Sequence, residues 1–149
     1  MEFPDTCRQG NPWQRGRSEE SPGAGLQQLV AVQLELMGVY ARLSKMFQGR
    51  EREMLVSLRG QCMEQVRCLR GIHRMITGTA LNAAAVPPPE ERVEAALRRC
   101  YGKALRQISA YESRLQQPEY GCVYEHMLRE EKNHCWTLTR LMGRLDETR

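Results

Sequence analysis

Leu26, Leu29, Gln33, Leu36, Tyr40, Leu43 and Phe47 recur three and four residues apart, the spacing that lines one stripe of an α-helix. That stripe predicts helix A over about 25–48, with Gln33 as its one polar interruption. Gly49 breaks the pattern, and Leu55, Leu58, Cys62, Gln65, Leu69, Ile72 and Ile76 carry it through helix B, about 50–77, as far as Gly78. From Thr79 to Pro89 the run Ala83-Ala84-Ala85 followed by Pro87-Pro88-Pro89 is too stiff and too poor in donors to continue a helix, so it reads as a connector. Helix C, about 90–116, follows with Leu97, Tyr101, Ala104, Ile108, Tyr111 and Leu115 on its stripe, and Glu90-Glu91 supplying negative charge at its N-terminus. Pro118 ends it. Helix D, about 119–146, carries Tyr120, Tyr124, Met127, Glu131, His134, Leu138, Leu141 and Leu145.

Residues 1–24 have no apolar period and hold Pro4, Gly10, Pro12, Gly16, Pro22 and Gly23 among polar residues, so a flexible tail is expected there and a single domain over 25–149. The two helical hairpins can be laid over one another, with Tyr40 on Tyr111, Leu69 on Leu138, Ile72 on Leu141 and Ile76 on Leu145. Long helices, short turns within each hairpin and a longer link between hairpins predict an all-α fold, an antiparallel four-helix bundle built from two hairpins.

Composition narrows the function classes. The net charge of +4 is spread as Arg interleaved with Glu, without a basic block or an aromatic platform, so nucleic acid is not an expected partner. Arg59, Arg67, Arg70 and Arg74 read as a solvated helix face. No run of about 18 apolar residues spans a membrane, and the N-terminus has no apolar signal segment, so a cytoplasmic location is expected. Six cysteines without export signal or CxxC pair read as reduced, mostly buried thiols, with Cys68 and Cys135 redox-sensitive if exposed. His73 and His126 lie off their stripes and read as surface or boundary residues. No nucleophile, base and orienter set and no phosphate-cradling loop is present.

Chemistry concentrates in Glu131-Lys132-Asn133-His134, a carboxylate and an imidazole one turn apart on the inward face of helix D. This ExxH, the tyrosines Tyr40 and Tyr111 at matched inward positions, the segment "GIHRMITG" closing helix B and the stretch "YESRLQQPEYGCVYEHMLREEKNH" resemble the rubrerythrin-type branch of the ferritin-like superfamily over roughly residues 25–146. The resemblance implies two metal ions at mid-bundle, held by one Glu from each of two helices and an ExxH from each of the other two. Of those six positions, only Glu131 and His134 keep their residue types: the first ExxH corresponds to Cys62 and Gln65, and the two lone glutamates to Gln33 and Ala104. Glu35 lies about 200° around the helix from Gln33 and cannot substitute, and Glu64 stands in the same relation to Cys62.

Neutral amides and alanine cannot balance two divalent ions, so no di-iron oxidase or peroxidase activity is expected. The first reading is therefore a metal-free polar cluster of Glu131, His134, Gln33, Gln65, Tyr40 and Tyr111, in a non-catalytic binding or structural module without cofactor, with self-association as its mode of partnership. The alternative is a metal-binding ferritin-like oxidoreductase in which Glu131, His134 and Cys62 hold one iron, manganese or zinc ion.

Overall fold

The computed structural model describes residues 23–147, which form four α-helices and, among the described residues, no strand. These are α1 (Leu26–Ser44), α2 (Gly49–Thr77), α3 (Val93–Glu112) and α4 (Gly121–Glu147). The tail expected over residues 1–24 lies almost wholly outside the described residues, as does Cys7. α1 packs chiefly on α2 and α3 on α4, while α1 also meets α3 and α2 meets α4. The result is a helical bundle in which each helix has two neighbours and one helix diagonally opposite.

The helix ends are set by local chemistry. α1 stops four residues short of the expected end, where Lys45 N–H and Met46 N–H tighten onto the carbonyls of Arg42 and Leu43 at 3.1 and 2.9 Å. Phe47, expected inside the helix, instead packs against the core from the turn. α2 ends at Gly78, whose φ of 73° lets its N–H reach the Arg74 carbonyl at 2.8 Å, a left-handed cap that L side chains resist. α3 begins at Val93 rather than near Glu90, after Arg92 in an extended conformation with ψ of 153°, and the Glu91 carboxylate ahead of it accepts from Arg99 at 2.6 Å. At Gly121 a Cβ would lie 2.5 Å from the Leu115 carbonyl oxygen, so the start of α4 sits against the preceding turn only with glycine there.

α1 departs most from the simple amphipathic picture. Its buried residues include Val30, Val32, Leu34 and Val39 besides the predicted stripe. Polar atoms and prolines of the connector explain this: Gln27 donates to the Asn82 carbonyl at 3.4 Å, Arg42 donates to the Pro89 carbonyl, and the Pro88 ring lies 3.7 Å from where a Cβ of Gly38 would be. The connector thus runs along the outside of α1 and buries it on a further side, with Leu81 as its apolar anchor. At the α1–α3 edge, Glu35 pairs with Arg99 and, at 3.0 Å, with Lys103, facing away from the bundle centre as its angular position required.

α3 buries Leu97, Ala104 and Tyr111 as expected but is turned by part of one residue's step. Cys100 and Gln107 are buried where Tyr101 and Ile108 were expected, and these two are half-buried at the margin. Cys100, Ala104, Gln107 and Tyr111 keep the four-three-four spacing, and Gln107 is tolerated inside because its amide donates to the Leu29 carbonyl at 3.1 Å. The core divides into two apolar clusters. One gathers Leu36, Leu43, Leu55, Leu58, Leu97 and Leu138; the other gathers Leu26, Leu29, Leu69, Tyr124 and Met127. In register, Gln33, Gln65, Gln107, Glu131 and His134 fall between them.

If the connector is a packed strap rather than a loose link, Leu81→Ala will cost about 2–3 kcal/mol of unfolding free energy. Val86→Ala, at an exposed connector site, will change it by less than about 0.5 kcal/mol. Urea denaturation measures both; equal, small effects would remove the strap.

Candidate functional site: a polar layer across the bundle

Gln33, Gln65, Glu131 and His134 are all at or below 1% exposure, so their polar atoms must find partners within the protein. Gln33 Nε2 donates to Glu131 Oε1 at 2.6 Å and, more weakly, to the Tyr111 hydroxyl at 3.4 Å. That hydroxyl donates to Gln65 Oε1 at 2.7 Å, and Gln65 Nε2 reaches Glu130 Oε1 at 3.4 Å. On the other side, Glu131 Oε2 lies 3.5 Å from His134 Nδ1, and His134 Nε2 is 2.8 Å from Gln61 Oε1. A chain of polar contacts therefore crosses all four helices, with its two ends, Gln61 and Glu130, at the α2–α4 edge.

The contacts assign the imidazole proton. Gln61 offers an oxygen, an acceptor only, so His134 carries hydrogen on Nε2 and leaves Nδ1 as an acceptor. Two groups face that one lone pair at the same distance: the Tyr40 hydroxyl at 3.5 Å, its ring edge-on to the imidazole, and Glu131 Oε2. A carboxyl protonated on Oε2 donates there, and a carboxylate does not. Burial pushes the Glu131 carboxyl up to about 7, opposed by the amides of Gln33 and Gln65 and reinforced by Glu130. Burial alone pulls His134 down to about 4. Both effects favour a neutral acid beside a neutral imidazole.

The overlay of the two hairpins reappears in these contacts. Replacing each residue by its overlay partner turns Tyr40–His134 into Tyr111–Gln65, and His134–Gln61 into Gln65–Glu130, and all four contacts are present. The third pair breaks the rule. Gln33–Glu131 maps onto Ala104 and Cys62, two small buried side chains with nothing to exchange. The two halves of the layer therefore share a geometry and differ in chemistry.

Cys62 is fully buried in the cluster formed by Leu36, Leu58 and Leu97, and burial, then nearby Glu131, pushes its thiol well up. It is a neutral thiol and a poor ligand as such. Among the described residues no group of three or more His, Cys, Asp or Glu side chains is arranged to hold a metal ion. The donor set around Glu131 is two glutamine amides, two phenols and an imidazole already engaged by Gln61, which does not fit a pair of divalent ions. One acceptor in the layer, Gln33 Oε1, has no partner, and Glu131 Oε2 has none beyond the imidazole.

Gln61, Gln107 and Glu130 take part without having been anticipated. Gln107 was hidden by the rotation of α3. Gln61 and Glu130 sit one residue before Cys62 and Glu131, and the overlay pairs them with each other, a signal the sequence did contain. His73 is half-buried and hydrogen-bonded near Thr77 and Thr79, His126 is exposed, and Cys68 is exposed with Cys135 half-buried. The five cysteines of the described residues are free thiols. No described helix is long and apolar enough to cross a membrane. The chain matches no protein-family profile, no curated protein and no solved structure.

The buried pair predicts opposing pH effects. Glu131 contributes stability that is present below about 4.5 and lost as pH rises to about 7; His134 contributes stability that is present above about 6.5 and lost as pH falls to about 4. Across the shared window the two cancel, so the wild-type unfolding free energy stays nearly level. Glu131→Gln removes one slope, and its stability rises by about 3 kcal/mol between pH 4 and 6.5. Urea titrations across that range check this, and a level profile in the variant would refute it.

Proposed function

We propose that this chain is a ferritin-like, rubrerythrin-related antiparallel four-helix bundle that has given up a two-metal centre and serves as a non-catalytic binding or structural module. The observation that carries the reading is the replacement of liganding groups by hydrogen-bonding ones at the matched positions: Gln33, Cys62, Gln65 and Ala104 stand where the superfamily pattern asks for carboxylates and an imidazole. The cross-helix contacts support the antiparallel order. Ala24, Leu29, Glu35 and Arg42 along α1 and its entry turn meet Arg114, Gln107, Lys103 and Glu91 in descending order, and Glu51, Gln61 and Gln65 of α2 meet Arg144, His134 and Glu130.

Loss of the ions left a problem that the polar layer solves. A lone carboxyl at the centre of a bundle costs several kcal/mol if charged and unpaired. Gln33 donates to one oxygen, and a proton on the other turns it toward the imidazole, so the carboxyl is accommodated without a cation. Such a core holds four helices in one register and leaves function to the surface, through self-association or through a partner. A single-ion reading, with iron, manganese or zinc on Glu131, His134 and Cys62, draws on the incompletely satisfied Glu131 Oε2. It demands a thiolate and a freed His134 nitrogen, and the metal-free reading demands neither.

Elemental analysis separates them. Protein purified without chelators and then exposed to iron, manganese and zinc will hold no stoichiometric metal, and Glu131→Ala and His134→Ala will not differ from wild type. About one tightly held ion per chain, lost in both variants, would establish the metal-binding reading instead.

A further inference from the structure

In the sequence the arginines of α2 alternate with glutamates, but on the helix surface they separate. Arg52, Val56, Arg59, Met63, Arg67, Arg70 and Arg74 follow one another by four, three, four, four, three and four residues, and every one is exposed. The spacing repeats after eleven residues, close to three helical turns, so the stripe runs straight along the outer face of α2 for about 33 Å without winding away. Glu53 and Glu64 lie to one side. Glu53 lines the groove toward α4 with Asn133 and Trp136, and Glu64 acts on Glu130 across the same edge.

Among the described residues none of the five arginines is ion-paired. Arg67 donates to the Met63 sulfur at 3.8 Å, and Arg70 donates to the Ala83 carbonyl at 3.3 Å. At the α1–α3 and α2–α4 edges several cations are neutralised, Arg99 and Lys103 by Glu35, Arg42 and Arg99 by Glu91, Arg144 by Glu51, whereas in the stripe five unpaired arginines stand in one row. Within the stripe two apolar side chains stand open, Val56 at 52% and Met63 at 38%, two helical turns apart. Gly60 beside them has no side chain, and the space its Cβ would enter is open, with nothing within 4 Å.

We propose that this face of α2 is a docking surface for an acidic amphipathic helix of a partner protein, which lays carboxylates over Arg52, Arg59, Arg67, Arg70 and Arg74 and an apolar residue between Val56 and Met63. Charge complementarity selects an anionic partner, and the width of the stripe, one helix across, selects a rod rather than a sheet. Interleaved apolar side chains select a helix over nucleic acid, whose phosphates would leave Val56 and Met63 unmatched. Two such side chains are too few to insert into a lipid surface as an interfacial helix does. The inference rests on the reading of the chain as a binding module and gives that module a partner class.

The test is titration of the full chain with a labelled synthetic helical peptide of about 25 residues, its Glu flanking a Leu stripe at matching spacing. Saturable one-to-one binding is expected, weakened about tenfold or more by Arg59→Glu combined with Arg67→Glu and by raised salt, weakened again by Met63→Ser, and untouched by Lys132→Glu on α4. Far-ultraviolet circular dichroism shows that the variants stay folded. Absence of binding, or equal binding of a scrambled peptide of the same composition, would overturn the proposal. So would tighter binding to a duplex oligonucleotide or to phosphatidylserine vesicles, or self-association in sedimentation that Arg59→Glu abolishes, which would make a second copy the occupant. The two readings fail separately: metal-free protein that ignores the peptide sinks only the docking surface, and metal-loaded protein that binds it sinks only the vacated centre.

Discussion

The hydrogen bond from Gln33 to Glu131 is the contact on which the centre of this bundle depends. A carboxyl with no exposure to water has three ways to exist: charged against a cation, charged against donors, or protonated. Burial outweighs the amides of Gln33 and Gln65, and the imidazole on the other oxygen is pulled toward its neutral form, so the third is favoured here. That choice agrees with the tautomer of His134 set by its acceptor Gln61, which leaves one lone pair on Nδ1 for the Glu131 proton in place of the Tyr40 hydroxyl.

The same constraint accounts for the division of the core. Two apolar clusters above and below could slide or rotate past each other with little penalty, since Leu against Leu specifies no register. A polar layer between them cannot, because a shift of one turn would leave five or more buried groups without partners. Near-symmetry of the layer makes the point sharper. One half repeats the other in its tyrosine contacts and departs from it where Ala104 and Cys62 replace Gln33 and Glu131, so the hairpins are similar enough to pack alike and different enough to be told apart.

Much of this was legible in the residues. The three-four repeat located four helices to within a few residues at each end, and the inward placement of Glu131, His134, Gln33 and Gln65 followed from the stripes alone. What periodicity missed has physical causes. α3 admits two stripes one residue apart, and the choice between Gln107 and Ile108 was settled by a carbonyl on another helix, Leu29, which no local pattern reveals. α1 reads as one-sided, yet is covered by the connector as well, because the prolines that end the helical pattern also stiffen a segment that can lie against it. Arg59, Arg67, Arg70 and Arg74 read correctly as one exposed helix face, and what that reading left out is that Arg52, Val56 and Met63 share it.

Infrared difference spectroscopy of the wild type against Glu131→Gln tests the central claim most directly, since a protonated carboxylic acid and a carboxylate absorb in separate regions. At pH 6 the spectrum should contain a protonated-acid carbonyl band that the variant lacks, fading as pH is raised through about 7. A carboxylate signature from Glu131 at that pH, with His134 in the charged form, would show an ion pair at the heart of the layer and contradict the account.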